Sequence, residues 1–100
     1  MNLFGLESRH IDLLKAIVIK PLLPTSTKLW VFGSRARGDY QKFSDLDLLV
    51  SGHVSPQLIS SIREALEESS LPIKVDLVCE EELAESYRDG VMRDRVEFSL

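Results

Sequence analysis

Two aspartates separated by a single leucine are the first residues whose spacing could do chemistry. They lie in the segment S-D-L-D-L-L-V, at Asp45 and Asp47. In a β-strand, side chains two positions apart point to the same face, so both would lie opposite the apolar residues that alternate with them. Two such carboxylates repel each other unless a cation lies between them, and Mg²⁺ binds through one or two carboxylates plus phosphate oxygens. An isolated Asp-x-Asp is also common on solvated strand faces, so the pair alone is weak evidence of a metal site.

A third carboxylate, Asp76, lies inside the apolar segment I-K-V-D-L-V, residues 73–78. Strand alternation puts Ile73, Val75 and Leu77 on one face, and Asp76 on the other face with its neighbours at positions 74 and 78. Aspartate is depleted in strands, and such local conflicts tend to mark functional positions. If the two strands share a sheet, we expect Asp45, Asp47 and Asp76 to converge on one side. There they could hold two metal ions about 4 Å apart, the arrangement used for phosphoryl and nucleotidyl transfer.

A glycine–serine turn followed by two arginines could bind phosphate. Gly33 would let a ligand approach the backbone closely, and Ser34 could donate both its hydroxyl and its amide. Residues 34 to about 40 predict a short helix whose N-terminus would add partial positive charge. Arg35 and Arg37 could neutralise phosphate oxygens with forked donors. The same residues would also fit a solvated turn, so this motif indicates phosphate binding only in combination with the carboxylates.

Apolar periodicity predicts the elements that would position these residues. The predicted strands are residues 28–32, 46–50 and 73–78. The predicted helices are residues 8–20 with Ser8 as N-cap, a helix starting at Ser55-Pro56, and one or two charged helices over residues 81–98, interrupted at Gly90. The first strand has no polar side chain after Lys28, which is typical of a central strand covered on both faces.

Composition limits the class of protein. One hundred residues are enough for one domain with an adequate core, so we expect a single domain over residues 1–100. No apolar run approaches the roughly 20 residues needed to cross a bilayer, and the first residues lack the pattern of a secretion signal. A single cysteine, Cys79, excludes an internal disulfide framework and a cysteine-rich metal site. These features favour a cytoplasmic protein.

The net charge of −4 is unevenly distributed. Residues 1–50 carry +2 and residues 51–100 carry −6. A protein that coats nucleic acid needs a basic face, so the acidic second half argues against direct nucleic-acid binding. The positive charge of the first half suits a small anionic ligand.

The combined motif is more specific than its parts. Gly33-Ser34, ten intervening residues, Asp45-Leu46-Asp47 and then Asp76 in a later strand resembles the nucleotidyltransferase superfamily that includes DNA polymerase β. The form G-S-R-A-R-G followed by S-D-L-D-L-L-V is similar to its smallest branch, the minimal nucleotidyltransferases. These are often encoded beside a HEPN-domain protein as the antitoxin of a toxin–antitoxin pair.

The resemblance implies a fold and a set of roles. The fold is α/β (α+β), a small mixed β-sheet with flanking helices. Gly33 and Ser34 would bind the phosphates of a nucleoside triphosphate such as ATP, and Arg35 or Arg37 would offset its charge. Asp45, Asp47 and Asp76 would be the catalytic and metal-binding residues, with Mg²⁺ as the cofactor and two ions expected.

The short chain also raises the question of the acceptor. Only 24 residues follow Asp76, too few for a second domain, so we expect another protein to present the acceptor hydroxyl. The resemblance implies a HEPN toxin that receives AMP, and a thin core favours homo- or hetero-oligomers. The C-terminal helix, with Tyr87, Val91, Met92 and Phe98, is a candidate contact surface, although it could equally pack on its own sheet.

Three functions remain open at this point. The first is Mg²⁺-dependent nucleotidyl transfer to a partner protein, and the second is an antitoxin that only masks its partner. The third is transfer to a small hydroxylated molecule such as an aminoglycoside. Three crowded carboxylates favour an enzyme over a mask, and the absence of an acceptor domain weighs against the small molecule.

Overall fold

A four-stranded mixed sheet forms the centre of the computed structural model, which describes residues 4–98. The strands are β1 Lys28–Phe32, β2 Leu46–Ser51, β3 Val75–Cys79 and β4 Val96–Glu97. Their order across the sheet is β3-β2-β1-β4. β1 pairs antiparallel with both β2 and β4, whereas β2 and β3 are parallel. The predicted mixed sheet is confirmed.

Helices of very different lengths connect the strands. They are α1 Ser8–Leu14, a π-helical turn Lys15–Ile19, α2 Lys20–Leu22, α3 Ser34–Arg37, α4 Pro56–Glu68, a 3₁₀ turn Glu80–Glu82 and α5 Glu85–Asp94. Within residues 4–98, no helix is both long and apolar enough to span a membrane.

The first predicted helix is present, but it continues past Pro21. Proline lacks an N–H and its ring crowds the carbonyl four residues earlier. The wider π-helical turn over Lys15–Ile19 lies directly before it and accommodates the ring, so the helix runs on to Leu22. The predicted cap was wrong, because Ser8 is the first helical residue and Glu7 is the N-cap.

One face of the sheet carries most of the core. Leu46, Leu48 and Val50 of β2 are fully buried there, against α1, α2 and α4. Leu49 is also fully buried, although it shares the opposite face with Asp47. That second face is only partly covered: on β1, the side chains at positions 30 and 32 are half-buried, so the expectation that both faces are covered holds only in part.

α4 joins the two parallel strands and begins as predicted. Ser55 is the N-cap, and its hydroxyl accepts a hydrogen bond from the backbone N–H of Leu58 at 3.2 Å. Pro56 follows at the first helical position, where its missing N–H is not needed. The apolar stripe of the helix is buried through Ile59, Ile62 and Leu66.

The prediction for the C-terminal segment was wrong in two respects. α5 runs through Gly90 without interruption, and the chain then forms β4 instead of more helix. Phe98 follows β4, donates its N–H to the carbonyl of Leu29 at 2.8 Å and stacks on Phe4 with ring centroids 5.7 Å apart. Phe98 is therefore a core residue and not part of an exposed contact surface, whereas Tyr87 is 70% exposed.

The N-cap of α4 offers a test of the fold. Replacing Ser55 with alanine should lower the free energy of unfolding by about 1 kcal/mol, because an orphan N–H of the first turn loses its acceptor. Ser60→Ala, an exposed change in the middle of the same helix, is the control and should leave it within about 0.5 kcal/mol. Urea unfolding of both variants measures the two changes in the free energy of unfolding. Equal decreases in Ser55→Ala and Ser60→Ala would show that the cap contributes nothing specific.

Candidate active site

Strand register brings two of the predicted carboxylates together. Asp47 of β2 and Asp76 of β3 are paired positions in the parallel ladder. Neighbouring residues at paired positions point to the same face of a sheet, so the two side chains lie side by side. Asp47 is also paired with Phe32, the last residue of β1, which places the turn at Gly33 beside it. The prediction that the two aspartate-bearing strands share a sheet is therefore confirmed.

Gly33 is required at this point for two separate reasons. Its φ of 74° and ψ of −154° lie in a region that other residues rarely adopt. A Cβ at this position would also collide with the carboxylate of Asp47. The backbone of the turn therefore lies directly against the acidic pair, which is Asp47 and Asp76, and a ligand bound to the turn would also contact this pair.

Ser34 begins a helix that is shorter than predicted. α3 is a single turn that ends at Arg37, because Gly38 follows with a φ of 90°. The carbonyl of Ser34 accepts hydrogen bonds from the N–H groups of Gly38 and Asp39 at 2.9 and 3.2 Å. One turn sums few peptide dipoles, so the expected charge from a helix N-terminus is small.

Arg35 lies inside the protein, with only 3% of its surface exposed. Its guanidinium donates hydrogen bonds to the carbonyls of Phe4 at 2.9 Å, Lys42 at 3.1 Å and Ser44 at 3.1 and 3.2 Å. It also lies 4.9 Å from the centroid of the Tyr40 ring. These interactions argue against its predicted role in nucleotide binding and make it a structural residue.

Arg37 remains at the surface beside the site. Its guanidinium forms ion pairs with Asp39 at 3.2 Å and Asp94 of α5 at 3.7 Å. The hydrogen bond and charge of Asp39, with a smaller effect of Asp94, raise the pKa of Arg37. Arg37 and Gly33 both line a cleft of about 370 Å³ between α3 and α5. Of the two predicted arginines, only Arg37 has its guanidinium at the surface beside this cleft.

The electrostatics of the acidic pair are unfavourable. Partial burial of Asp47 raises the pKa of its carboxyl, and the negative charges of Asp76 and Asp45 raise it further. The positive charges of Arg37 and Lys74 act in the opposite direction. Lys74 Nζ lies 3.5 Å from an oxygen of Asp76. The carboxylates are thus close enough to favour a bound cation.

The donor set fits a divalent ion between Asp47 and Asp76, since such an ion would relieve their repulsion. The predicted third ligand is less well placed: Asp45 precedes β2 and is exposed. Within residues 4–98, no group of three or more His, Cys, Asp or Glu side chains is already arranged to hold a metal ion. Asp45 acts on Asp47 through its charge but does not complete a preformed cluster.

Two residues of the site were missed by the sequence reasoning. Lys74 lies two positions before Asp76, and strand alternation does predict that these side chains share a face. Asp94 of α5 reaches Arg37 across the cleft, and no local pattern connects positions 37 and 94. The first could have been found from spacing, whereas the second depends on how α5 packs.

Comparison with known proteins supplies the family. Residues 11–98 match the family model described as a nucleotidyltransferase domain. This chain belongs to the nucleotidyltransferase family. The chain is 34% identical over 90 residues to the probable protein adenylyltransferase MntA of Haemophilus influenzae, covering 88% of this chain and 77% of that protein. The resemblance to nucleotidyltransferases drawn from the motif is thereby confirmed.

Solved structures agree with this assignment. A structure assigned to a minimal nucleotidyltransferase superposes with a TM-score of 0.66 at 30% identity, covering 91% of this chain and 95% of that one. A crystal structure of a toxin–antitoxin with AMP-PNP gives a TM-score of 0.62 over 83% of this chain and 70% of that one. At 22% identity, the second match supports the fold alone.

The acidic pair of this nucleotidyltransferase should make the fold sensitive to pH. Because the pKa of Asp47 is raised in the folded state, the ionised carboxylate destabilises the fold. This loss of stability is absent below the ordinary pKa of aspartate and becomes complete as the pH rises through the folded-state pKa. Asp47→Asn should therefore unfold at a higher urea concentration than wild type at pH 7 in the presence of a chelator. The difference should shrink as the pH falls towards 4. Asp12→Asn, an exposed change on α1, is the control and should give no such gain; a less stable Asp47→Asn would contradict this account.

The two arginines should differ in what they do for stability. Arg35→Ala should lower the free energy of unfolding by about 2–3 kcal/mol, because three carbonyls lose charged donors in a buried setting. Arg37→Ala removes only the ion pairs of a surface guanidinium with exposed Asp39 and half-buried Asp94, so its urea midpoint should stay near that of wild type. Equal effects of the two substitutions would show that Arg35 is not a structural residue.

Proposed function

We propose that this chain transfers a nucleoside monophosphate, AMP from ATP, to a hydroxyl of a partner protein. The observation that carries the proposal is the contact between the glycine–serine turn and the acidic pair. Gly33 lies against the carboxylate of Asp47, and Asp76 lies beside Asp47 on the neighbouring strand. The name of the Haemophilus influenzae relative, a protein adenylyltransferase, supports AMP as the group and a protein as the acceptor.

The residues divide into a phosphate side and an acidic side. Gly33 would allow the triphosphate to lie against the backbone, Ser34 would donate to a phosphate oxygen, and Arg37 would offset negative charge from the cleft shared with α5. Asp47 and Asp76 would hold Mg²⁺, with Asp45 adding a ligand once a cation is present. When bound, Mg²⁺ would neutralise the triphosphate and lower the pKa of the acceptor hydroxyl.

The transfer itself is a single displacement at phosphorus. The acceptor oxygen would form a bond to the α-phosphorus of ATP, while the bond from that phosphorus to the β-phosphate oxygen breaks and pyrophosphate leaves. The hydroxyl proton would pass to Asp76 and then to water. Asp76 suits this role because it is half-buried next to Asp47 and lies on β3, an edge strand that large molecules can reach.

We further propose that the partner is a HEPN-domain toxin and that this chain acts as its antitoxin. The support is the motif form G-S-R-A-R-G followed by S-D-L-D-L-L-V, which resembles the minimal nucleotidyltransferases encoded beside such toxins. The competing function is an antitoxin that neutralises its partner by binding alone, without catalysis. The unfavourable charge on Asp47 argues for catalysis, because a masking surface would gain nothing from holding repelling carboxylates together.

Transfer of label from ATP tests the proposal. The chain is incubated with α-labelled ATP, Mg²⁺ and the purified protein encoded beside its gene. We expect label on that protein, and the rate should fall at least about 10²-fold in Asp47→Asn and in Asp76→Asn. Asp12→Asn, exposed on α1, is the matched charge control and should label at the wild-type rate. Unlabelled GTP and UTP as competitors would report the base preference.

A second measurement distinguishes an enzyme from an antitoxin that acts by binding alone. The double variant Asp45→Ala/Asp47→Ala is tested for binding to the partner and for neutralising it in cells. Loss of neutralisation with binding retained would support the enzyme. If the double variant binds tightly and neutralises as well as wild type, the chain is a binding antitoxin and transfer is not its function.

A further inference from the structure

The outer edge of β3 has a regular pattern of main-chain groups. The N–H of Leu46 donates to the carbonyl of Lys74 at 2.9 Å, and the parallel register continues from Leu46 opposite Val75. In such a ladder, alternate residues of one strand bond to the neighbour. The main-chain groups of residues 74, 76 and 78 therefore face β2, whereas those of Val75, Leu77 and Cys79 face away from the sheet.

An ion pair occupies one end of this edge. Arg63 of α4 donates to the carbonyl of Leu77 from Nε at 3.1 Å and from Nη2 at 2.7 Å. Glu82 accepts the N–H of Cys79 at 3.0 Å, and the Arg63 and Glu82 side chains are 2.9 Å apart. Together they bond to the groups that a fifth strand would use, which is one way that proteins protect a sheet edge.

The other end of the edge is open. The N–H and carbonyl of Val75 and the N–H of Leu77 have no hydrogen-bond partner within residues 4–98. They lie one residue on either side of Asp76, so the open part of the edge is at the active site. The Arg63–Glu82 pair marks where it ends.

A groove follows this open edge and enters the active site. It has a volume of about 710 Å³ and lies between the edge of β3 and the end of α4. Asp47 and Asp76 line one part of it, and apolar side chains including Leu66, Leu71 and Ile73 line another. A ligand in the groove would thus contact main-chain groups, apolar side chains and the acidic pair at once.

We propose that the acceptor protein binds here as an extended segment that adds a fifth strand to the edge of β3 and places its hydroxyl beside Asp76. This rests on the proposed function and names how the acceptor is held. Strand addition to an open edge takes affinity from main-chain hydrogen bonds and specificity from alternate side chains. Both kinds of group are present on this edge, at Val75 to Leu77.

The alternation of an added strand also specifies the acceptor sequence. A residue on the face of Asp76 would present its side chain to the acidic pair, so this residue carries the hydroxyl. Its two neighbours in the chain would point to the opposite face, where Leu66 and Ile73 line the groove. The acceptor is therefore a serine, threonine or tyrosine with an apolar residue on at least one side.

A proline at the open edge tests the docking without touching the carboxylates. Val75→Pro removes an N–H that the sheet does not use and adds bulk where the segment would pair, which an edge position tolerates. Val75→Thr keeps the N–H and a β-branched side chain and is the control. We expect kcat/KM for the partner protein to fall at least about tenfold in Val75→Pro through a raised KM, with Mg-AMP-PNP binding unchanged. Val75→Thr should behave as wild type.

Amide hydrogen exchange provides a second readout that needs no variant. On addition of the partner protein, the amides of Val75 and Leu77 should become protected, whereas that of Cys79, already bonded to Glu82, should change little. If wild type labels the partner but Val75→Pro labels it with the same KM, or if these two amides stay unprotected, only the docking is wrong. If wild type neither binds nucleotide nor labels the partner, the proposed function fails and the docking fails with it.

Discussion

The forced proximity of Asp47 and Asp76 is the constraint around which the site is arranged. The two carboxylates are paired across parallel strands, and partial burial, followed by the negative charge of Asp76, raises the pKa of Asp47. The register that pairs them is fixed from the other face, where Leu46, Leu48 and Val50 of the same strand are fully buried. A slip of one residue would bury the aspartates and expose the leucines, so the core holds the acidic pair in place.

Arg35 connects the two halves of the motif. The turn Gly33-Ser34 and the segment Asp45-Asp47 are separated by ten residues that do not belong to the sheet. From its place one residue after Ser34, the buried guanidinium bonds to the carbonyls of Lys42 and Ser44, just before Asp45. The loop is thereby folded back against its own start. This accounts for the presence of two arginines in G-S-R-A-R-G, because one organises the loop and the other remains beside the cleft.

The sequence predicts those parts of the fold that repeat a local pattern. β1 was predicted with its observed bounds, β2 and β3 within two residues, and α4 with its cap, because alternation, helical spacing and Ser-Pro are each local. β4 was missed, since two residues are too few to alternate and their pairing with β1 depends on the path of α5. The burial of Arg35 was missed as well, because its acceptors are main-chain carbonyls that no side-chain pattern reveals.

The site itself was predictable to the same extent and for the same reason. Strand alternation correctly placed Asp76 on the face opposite the core, but it was also applied to Asp45, which lies one residue before the strand, where alternation does not fix the direction of a side chain. The pairing of Asp47 with Asp76 needed the register between two distant strands, which only the packed core determines. The family resemblance named residues from separate strands as one site, but it did not give the register that pairs Asp47 with Asp76.

The position of β3 at the edge of the sheet has a consequence for the size of the acceptor. A central strand would leave Asp76 covered by neighbours on both sides, reachable only by a small molecule from above the sheet. An edge strand leaves it open laterally, and an open edge also exposes main-chain groups that invite pairing with other chains. Here the Arg63–Glu82 pair closes the edge from the carbonyl of Leu77 to the N–H of Cys79 and leaves open the part from Val75 to the N–H of Leu77. The arrangement would therefore limit unwanted pairing and, under the proposed transfer, would admit a protein segment beside the carboxylates. This edge is thus an argument for proposing a protein, and not a small molecule, as the acceptor.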